Sequence, residues 1–149
     1  MNNTDSIIRG AEKHCENRGT RLTKKRKRVL AVLVQSDKAL SAYELIDLCK
    51  KKYREDIPAM SVYRILEFLE GENLVHKLNT ASKYASCVHI IGNQMRCVSQ
   101  FLICKNCSKV KQIDIGSSMM AELQATVQDA SFKLIKPQLE MTCLCDDCL

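Results

Sequence analysis

Apolar residues first fall into a helical rhythm after Thr23, where Val29, Leu30, Leu33 and Val34 share one face and the intervening basic residues project elsewhere. A second such stretch opens at Ser41. Its hydroxyl can cap a backbone N–H while Glu44, three residues on, reaches back, and Leu45, Ile46, Cys49 and Tyr53 follow on one side. After the Ile57-Pro58 break, Val62, Ile65, Leu66 and Leu69 form a third stripe, with Gly71 standing where a left-handed cap would end it. From Leu74 the period shortens: residues 74–78 and 83–87 read as extended segments around a polar turn at 79–82. Three helices and a hairpin predict a winged helix. Further on, residues 101–104 and 110–114 read as strands and residues 118–129 as a helix with Met120, Leu123 and Val127 inward. Leu139, Met141 and Cys143 then alternate as in a half-buried strand. The predicted class is α+β, with a winged helix over residues 1–88 and a small α/β lobe over residues 89–149.

Small lobes, of fewer than about 80 residues, usually need a staple to hold a thin core. The 149 residues contain nine cysteines. The first residues lack the basic, apolar and small-residue segments of a secretory signal, which argues against a disulfide framework and for a cytoplasmic protein. No apolar run approaches the roughly 18 residues that span a bilayer, so no membrane partner is expected. Glycine and proline are scarce, and no internal repeat is evident.

The net charge of +6 is concentrated: residues 1–80 hold 16 basic against 11 acidic residues, and residues 81–149 hold 7 against 6. Its densest part runs through Arg18, Arg21, Lys24, Lys25, Arg26, Lys27 and Arg28 without an acid, which suits a polyphosphate partner, although for an isolated run a solvated helix face is the default reading. In a winged helix the last helix enters the major groove. Here its non-apolar face offers Ser61, Tyr63 and Arg64. Arginine can pair bidentately with guanine, and tyrosine can touch a thymine methyl or a phosphate. Tyr63 could equally pack between helices, and Tyr43, near the start of the preceding helix, is a DNA-contact candidate with the same alternative. Arg21, Lys24, Lys25 and Lys27 are the candidate phosphate contacts.

The most specific constellation is Cys104-x-x-Cys107 with Cys145-x-x-Cys148. Two such knuckles supply the four thiolates of a closed structural zinc site. The 37 residues between them exceed a simple ribbon loop, so folded structure has to bring the halves together. A thioredoxin-like redox role requires a βαβ setting around one reactive pair, which this chain does not offer.

Taken in order, Arg21-Leu22-Thr23 with Arg26, Ser41-Ala42-Tyr43-Glu44-Leu45, Ser61-Val62-Tyr63-Arg64, Leu74-Val75-His76-Lys77, Phe101-Leu102-Ile103-Cys104-x-x-Cys107 and Cys145-x-x-Cys148 resemble the ferric uptake regulator superfamily over nearly the whole chain, and within it the zinc uptake regulators. The resemblance implies an N-terminal winged helix, a dimerisation lobe with a four-cysteine zinc site, and a regulatory metal site at the hinge between them. Carried over residue by residue, the hinge ligands are His76, Cys87 and Cys97. Relatives commonly have histidine where this chain has Cys97 and glutamate where it has Gln112, so the fourth ligand is open among His89, Gln112 and Asp114. His89 is the better ligand chemically, because an imidazole binds zinc more strongly than an amide. Two thiolates and an imidazole favour zinc over iron(II) or manganese(II), and three histidines supply a peroxide-sensing iron site poorly.

The resulting expectation is a non-enzymatic, zinc-responsive repressor with two zinc ions per chain, binding a palindromic DNA operator as a homodimer and controlling zinc-uptake genes. Other metal-sensing or peroxide-sensing members of the superfamily, a thiol-disulfide oxidoreductase and a zinc-ribbon interaction module are the alternatives. His14, Cys15, Cys49 and Cys143 have no assigned role, and a buried small hydrophobe is the default for such a cysteine.

Overall fold

The computed structural model describes residues 3–79, 82–87, 100–113, 115–135 and 138–149. Four helices come first: α1 (Asn3–Asn17), α2 (Lys24–Gln35), α3 (Ala42–Tyr53) and α4 (Ala59–Gly71). The hairpin β1 (Val75–Leu78) and β2 (Lys83–Ser86) follows, then β3 (Gln100–Cys104), β4 (Val110–Ile113), α5 (Ser117–Asp129), β5 (Leu139–Cys143) and a 3₁₀ turn at Asp146–Cys148.

The helices start where the sequence places them. Thr23 caps α2 by accepting from the Arg26 N–H, and Ser41 and Glu44 form a reciprocal capping box on α3. The apolar stripes meet in one core, in which Val29, Leu30, Leu45, Val62, Leu66 and Leu69 are fully buried. Helix α1 has no counterpart in the sequence-based reading. It buries Ile7, Ala11 and Cys15 on that core, one small or medium side chain per turn. The end of α4 also differs from expectation. Gly71 is still helical, and the left-handed residue is Asn73 (φ 60°), followed by bonds from Asn73 N to Glu70 O (3.0 Å) and from Leu74 N to Leu69 O (2.9 Å). Asparagine tolerates this conformation, so the Schellman cap forms two residues later than the glycine suggested.

The wing is antiparallel, with His76 opposite Ala85 and Leu78 opposite Lys83. The second sheet has the order β4-β3-β5, antiparallel between β3 and β4 and parallel between β3 and β5. This lobe buries little of itself. Among its described residues only Gln100, Phe101 and Cys104 are buried, and α5 buries none. Met120, Leu123 and Val127 are the half-covered line of α5 rather than a buried stripe, and Met141 is exposed.

The expected domain boundary at residues 88–89 lies outside the described residues. The lobes nevertheless touch through a small second core, where Phe101 packs with Ala39, Leu78 and Ala85. The α2–α3 connection adds a main-chain tie from Val110 N to Asp37 O (3.0 Å). At the wing's end, Asn79 N–H donates to the Glu140 carboxylate (2.9 Å) and Gln138 Nε2 donates to the Lys77 carbonyl (3.1 Å).

Candidate metal centre and nucleic-acid face

The parallel pairing of β3 with β5 solves the spacing problem of the two knuckles. Cys104 ends β3 opposite Cys143 in β5, so the chain leaving each strand turns over the same end of the sheet. After β3 the turn closes with Ser108 N–H donating to the Cys104 carbonyl (3.1 Å), Ser108 itself taking a left-handed φ of 63°. After β5, Cys145 begins the 3₁₀ turn and Cys148 N–H donates back to the Cys145 carbonyl (2.9 Å). The four sulfurs of Cys104, Cys107, Cys145 and Cys148 then lie within 4.8 Å of one another, with Cys107 and Cys145 3.7 Å apart. Four sulfurs about 2.3 Å from a tetrahedral zinc would stand roughly 3.8 Å apart. Donor set and spacing therefore fit zinc.

The electrostatics fit as well. Backbone N–H groups of Cys107 and Cys145 aim at the Cys104 sulfur, the latter at 3.5 Å, and lower its pKa to about 6. Hydrogen bonding with the Cys145 and Cys104 sulfurs pushes the Cys148 thiol up to about 12, and burial raises Cys145. One ligand is thus a thiolate at neutral pH while two neighbours hold their protons, the state expected where several thiols crowd one cation site. Cys143 stays outside the cluster, its S–H directed at the Met141 carbonyl (3.6 Å).

Of the residues expected at the hinge, His76 and Cys87 are described and both are buried. Cys87 follows β2 directly and its N–H donates to the Leu74 carbonyl (2.9 Å), continuing the register by one pair. Because alternate strand positions share a face, His76, Ala85 and Cys87 lie on the same side of the wing. At His76 that side meets the second lobe, the ring standing 5.3 Å from Phe101 between centroids, while Cys87 packs in the winged-helix core. Cys97, His89 and Asp114 fall outside the described residues. Gln112, opposite Phe101 in β4, lines a cavity of about 90 Å³ between the lobes together with Asp37 and Ser86.

On the winged helix, Tyr43 is 67% exposed and Tyr63 42% exposed, so neither is core. Ser61 is partly covered and Arg64 is exposed, while Val62 and Ile65 on the other side of α4 are buried. The basic run divides. Arg21, Lys24 and Lys25 are exposed. Arg26 lies 3.6 Å over the Phe68 ring and donates to the Arg21 carbonyl (2.7 Å), and Arg28 pairs with Glu55. Lys27 is 2.7 Å from Glu12 of α1. The run has no acid in sequence, yet the fold brings acids to it. Sequence reasoning also passed over Met60, an exposed apolar residue on the free face of α4. His14 proves structural, its Nε2–H donating to the Glu72 carbonyl (2.9 Å), while Arg18 pairs with the Glu72 carboxylate (2.9 Å). Cys15 and Cys49 are buried small side chains.

A winged helix joined to a lobe stapled by four convergent thiols defines a metal-binding winged-helix protein. The chain belongs to the ferric uptake regulator family, which it matches over residues 17–142. It is 37% identical over 109 residues to the zinc uptake regulation protein of Escherichia coli (strain K12), an alignment covering 73% of this chain and 62% of that protein's length. Its fold superposes on a zinc uptake regulator complexed with zinc and DNA with a TM-score of 0.87 at 30% identity, over 99% of this chain and 96% of the other. Against holo XcZur the TM-score is 0.81 at 32% identity, covering 97% of both chains. Against apo XcZur it falls to 0.56 at 30% identity, over 99% of both chains.

Proposed function

We propose that this protein is a zinc-responsive transcriptional repressor of the cytoplasm, binding a palindromic operator as a homodimer and controlling genes for zinc uptake. The observation that carries the reading is the likeness to the zinc- and DNA-complexed regulator at a TM-score of 0.87. The fold also resembles holo XcZur, at a TM-score of 0.81, more than apo XcZur, at 0.56. That difference supports a lobe arrangement of the metal-loaded kind.

Two zinc ions per chain serve this function. Cys104, Cys107, Cys145 and Cys148 hold the structural one, whose bonds to four thiolates supply folding energy to a lobe with little core. His76, Cys87 and Cys97 hold the regulatory one, with His89 as the fourth ligand of choice. His76 and Cys87 share one side of the wing, and His76 meets Phe101 of the second lobe, so a metal gathered there favours one hinge geometry over the other. Two winged helices in a dimer then stand at the spacing of two half-sites. The exposed apolar side chains Met119, Phe132 and Ile135 of the second lobe supply the surface that a partner copy would cover. Tyr43, Ser61, Tyr63 and Arg64 read the operator, and Arg21, Lys24, Lys25 and Lys27 hold its phosphates. A thiol-disulfide oxidoreductase is the poorer reading, because the low-pKa thiol, Cys104, is buried among three other sulfurs and not presented to a substrate.

The test is a gel shift on a duplex selected by the protein from a random pool, across a buffered free-zinc series. Operator affinity that rises with free zinc is expected. Equal affinity in the presence of a chelator that spares the four-cysteine site would overturn the regulatory role.

A further inference from the structure

Helix α4 carries two kinds of apolar residue. Val62, Ile65, Leu66 and Leu69 are buried, and Phe68 lies beneath the Arg26 guanidinium. Met60 belongs to neither group: it stands in the first turn and is 66% exposed. Tyr63 and Arg64 are its i+3 and i+4 neighbours, so the three side chains share one outward face.

Single exposed apolar residues are ordinary on protein surfaces. The position of this one is what gives it meaning. The first turn of a recognition helix is the part that contacts base edges, and in the major groove the apolar group that a base offers is the thymine C5-methyl. Methionine adds no donor or charge there, and its unbranched, polarizable thioether adapts to such a contact. Four residues of helix rise about 6 Å, roughly one to two base-pair steps of about 3.4 Å.

Resting on the reading of α4 as the recognition helix, we propose that Met60 is a specificity-determining residue that packs on a thymine methyl one or two base pairs from the guanine addressed by Arg64. The contact makes the operator's preference at that position a preference for a methyl group rather than for a hydrogen-bonding pattern. Deoxyuridine pairs as thymidine does and lacks only the methyl, so it isolates the contact.

The experiment uses the zinc-loaded protein and a duplex it selects from a random pool. Each thymine of one half-site is replaced in turn by deoxyuridine, for wild type, Met60→Ala and Arg64→Ala. One replacement should lower wild-type affinity about fourfold, the transfer free energy of one methyl group. Met60→Ala should be indifferent to that same replacement while still discriminating the guanine, and Arg64→Ala should do the reverse. Wild-type indifference to every replacement, or a Met60→Ala protein that keeps the wild-type loss, would overturn the assignment of Met60 alone. Arg64→Ala retaining full guanine preference would instead overturn the recognition-helix reading on which the assignment stands.

Discussion

Cys104 and Cys143 are the last register pair of the parallel β3–β5 ladder, and from that pair the two cysteine knuckles diverge only to meet again as one cluster. Sheet and metal site are therefore one unit, in a lobe whose buried described residues are Gln100, Phe101 and Cys104. Apparent zinc binding in small structural sites is about 10–16 kcal/mol, comparable to or greater than the whole stability of a typical domain. Cys104→Ser or Cys148→Ser should thus unfold or monomerise the second lobe. Zinc per chain and sedimentation mass measure this, and a folded dimer with unchanged zinc content would refute the structural site.

The state of the thiols predicts how zinc uptake depends on pH. With the four sulfurs gathered and no metal between them, Cys104 is lowered to about 6, while Cys148, raised to about 12, and Cys145, also raised, carry protons at neutrality. Loading the site displaces those protons, so affinity rises with pH and falls on acidification, and below about pH 6 the added proton on Cys104 steepens the fall. With two or more protons displaced, affinity for zinc should change by at least about 100-fold per pH unit near neutrality. Calorimetric titration in buffers of different ionisation enthalpy counts the protons directly. A count of zero would mean that the thiols are already deprotonated.

The divided basic run predicts a divided mutational response. Lys24→Ala, at an exposed charge, should weaken all DNA sequences alike and lessen the salt slope of binding by about one unit. Lys27→Ala should do less, since its ammonium already pairs with Glu12 at 2.7 Å. Arg26→Ala should instead lower the melting temperature, because its guanidinium covers Phe68. Arg64→Ala should cost about 1–3 kcal/mol and relax preference at one base position. Fluorescence anisotropy across a salt series separates these cases. Equal slopes for Lys24→Ala and wild type would remove Lys24 from the interface.

The wing is also clasped from the other lobe, by Asn79 N–H on the Glu140 carboxylate and Gln138 Nε2 on the Lys77 carbonyl. Glu140→Ala should leave zinc content and dimer mass unchanged and weaken zinc-dependent operator binding about fivefold, the effect of about 1 kcal/mol for one hydrogen bond. Wild-type operator affinity in that variant would show the clasp to be incidental.

Much of this arrangement is legible in the sequence, because strong local rules coincide with the fold. The Ser41–Glu44 capping box, the stripe through Val62 and Leu69 and the two cysteine knuckles each specify their structure within a few residues. What is not legible depends on partners distant in sequence. Helix α1 buries only Ile7, Ala11 and Cys15, a pattern too thin to stand out before α2 is there to receive it. Glu12 and Glu55 reach the basic run only in the folded chain. The apolar line of α5 reads as inward-facing, yet in the single chain it is half-exposed. Gly71 misleads for a local reason: Asn73 takes the left-handed conformation instead.

The proposed regulatory hinge is tested by operator affinity across a buffered free-zinc series, measured for wild type and for Cys87→Ser. Cys87 is buried on the wing face shared with His76, outside the four-cysteine cluster. A switch from about 1% to 99% DNA-competent needs about 10⁴-fold tighter zinc binding by the competent state, which a site short of one thiolate cannot supply. Cys87→Ser should keep its dimer mass and one zinc per chain, yet lose the zinc-dependent gain in operator affinity. A Cys87→Ser protein that binds DNA with the wild-type zinc dependence would contradict the account, leaving Cys87 a packed thiol and the sensing site elsewhere.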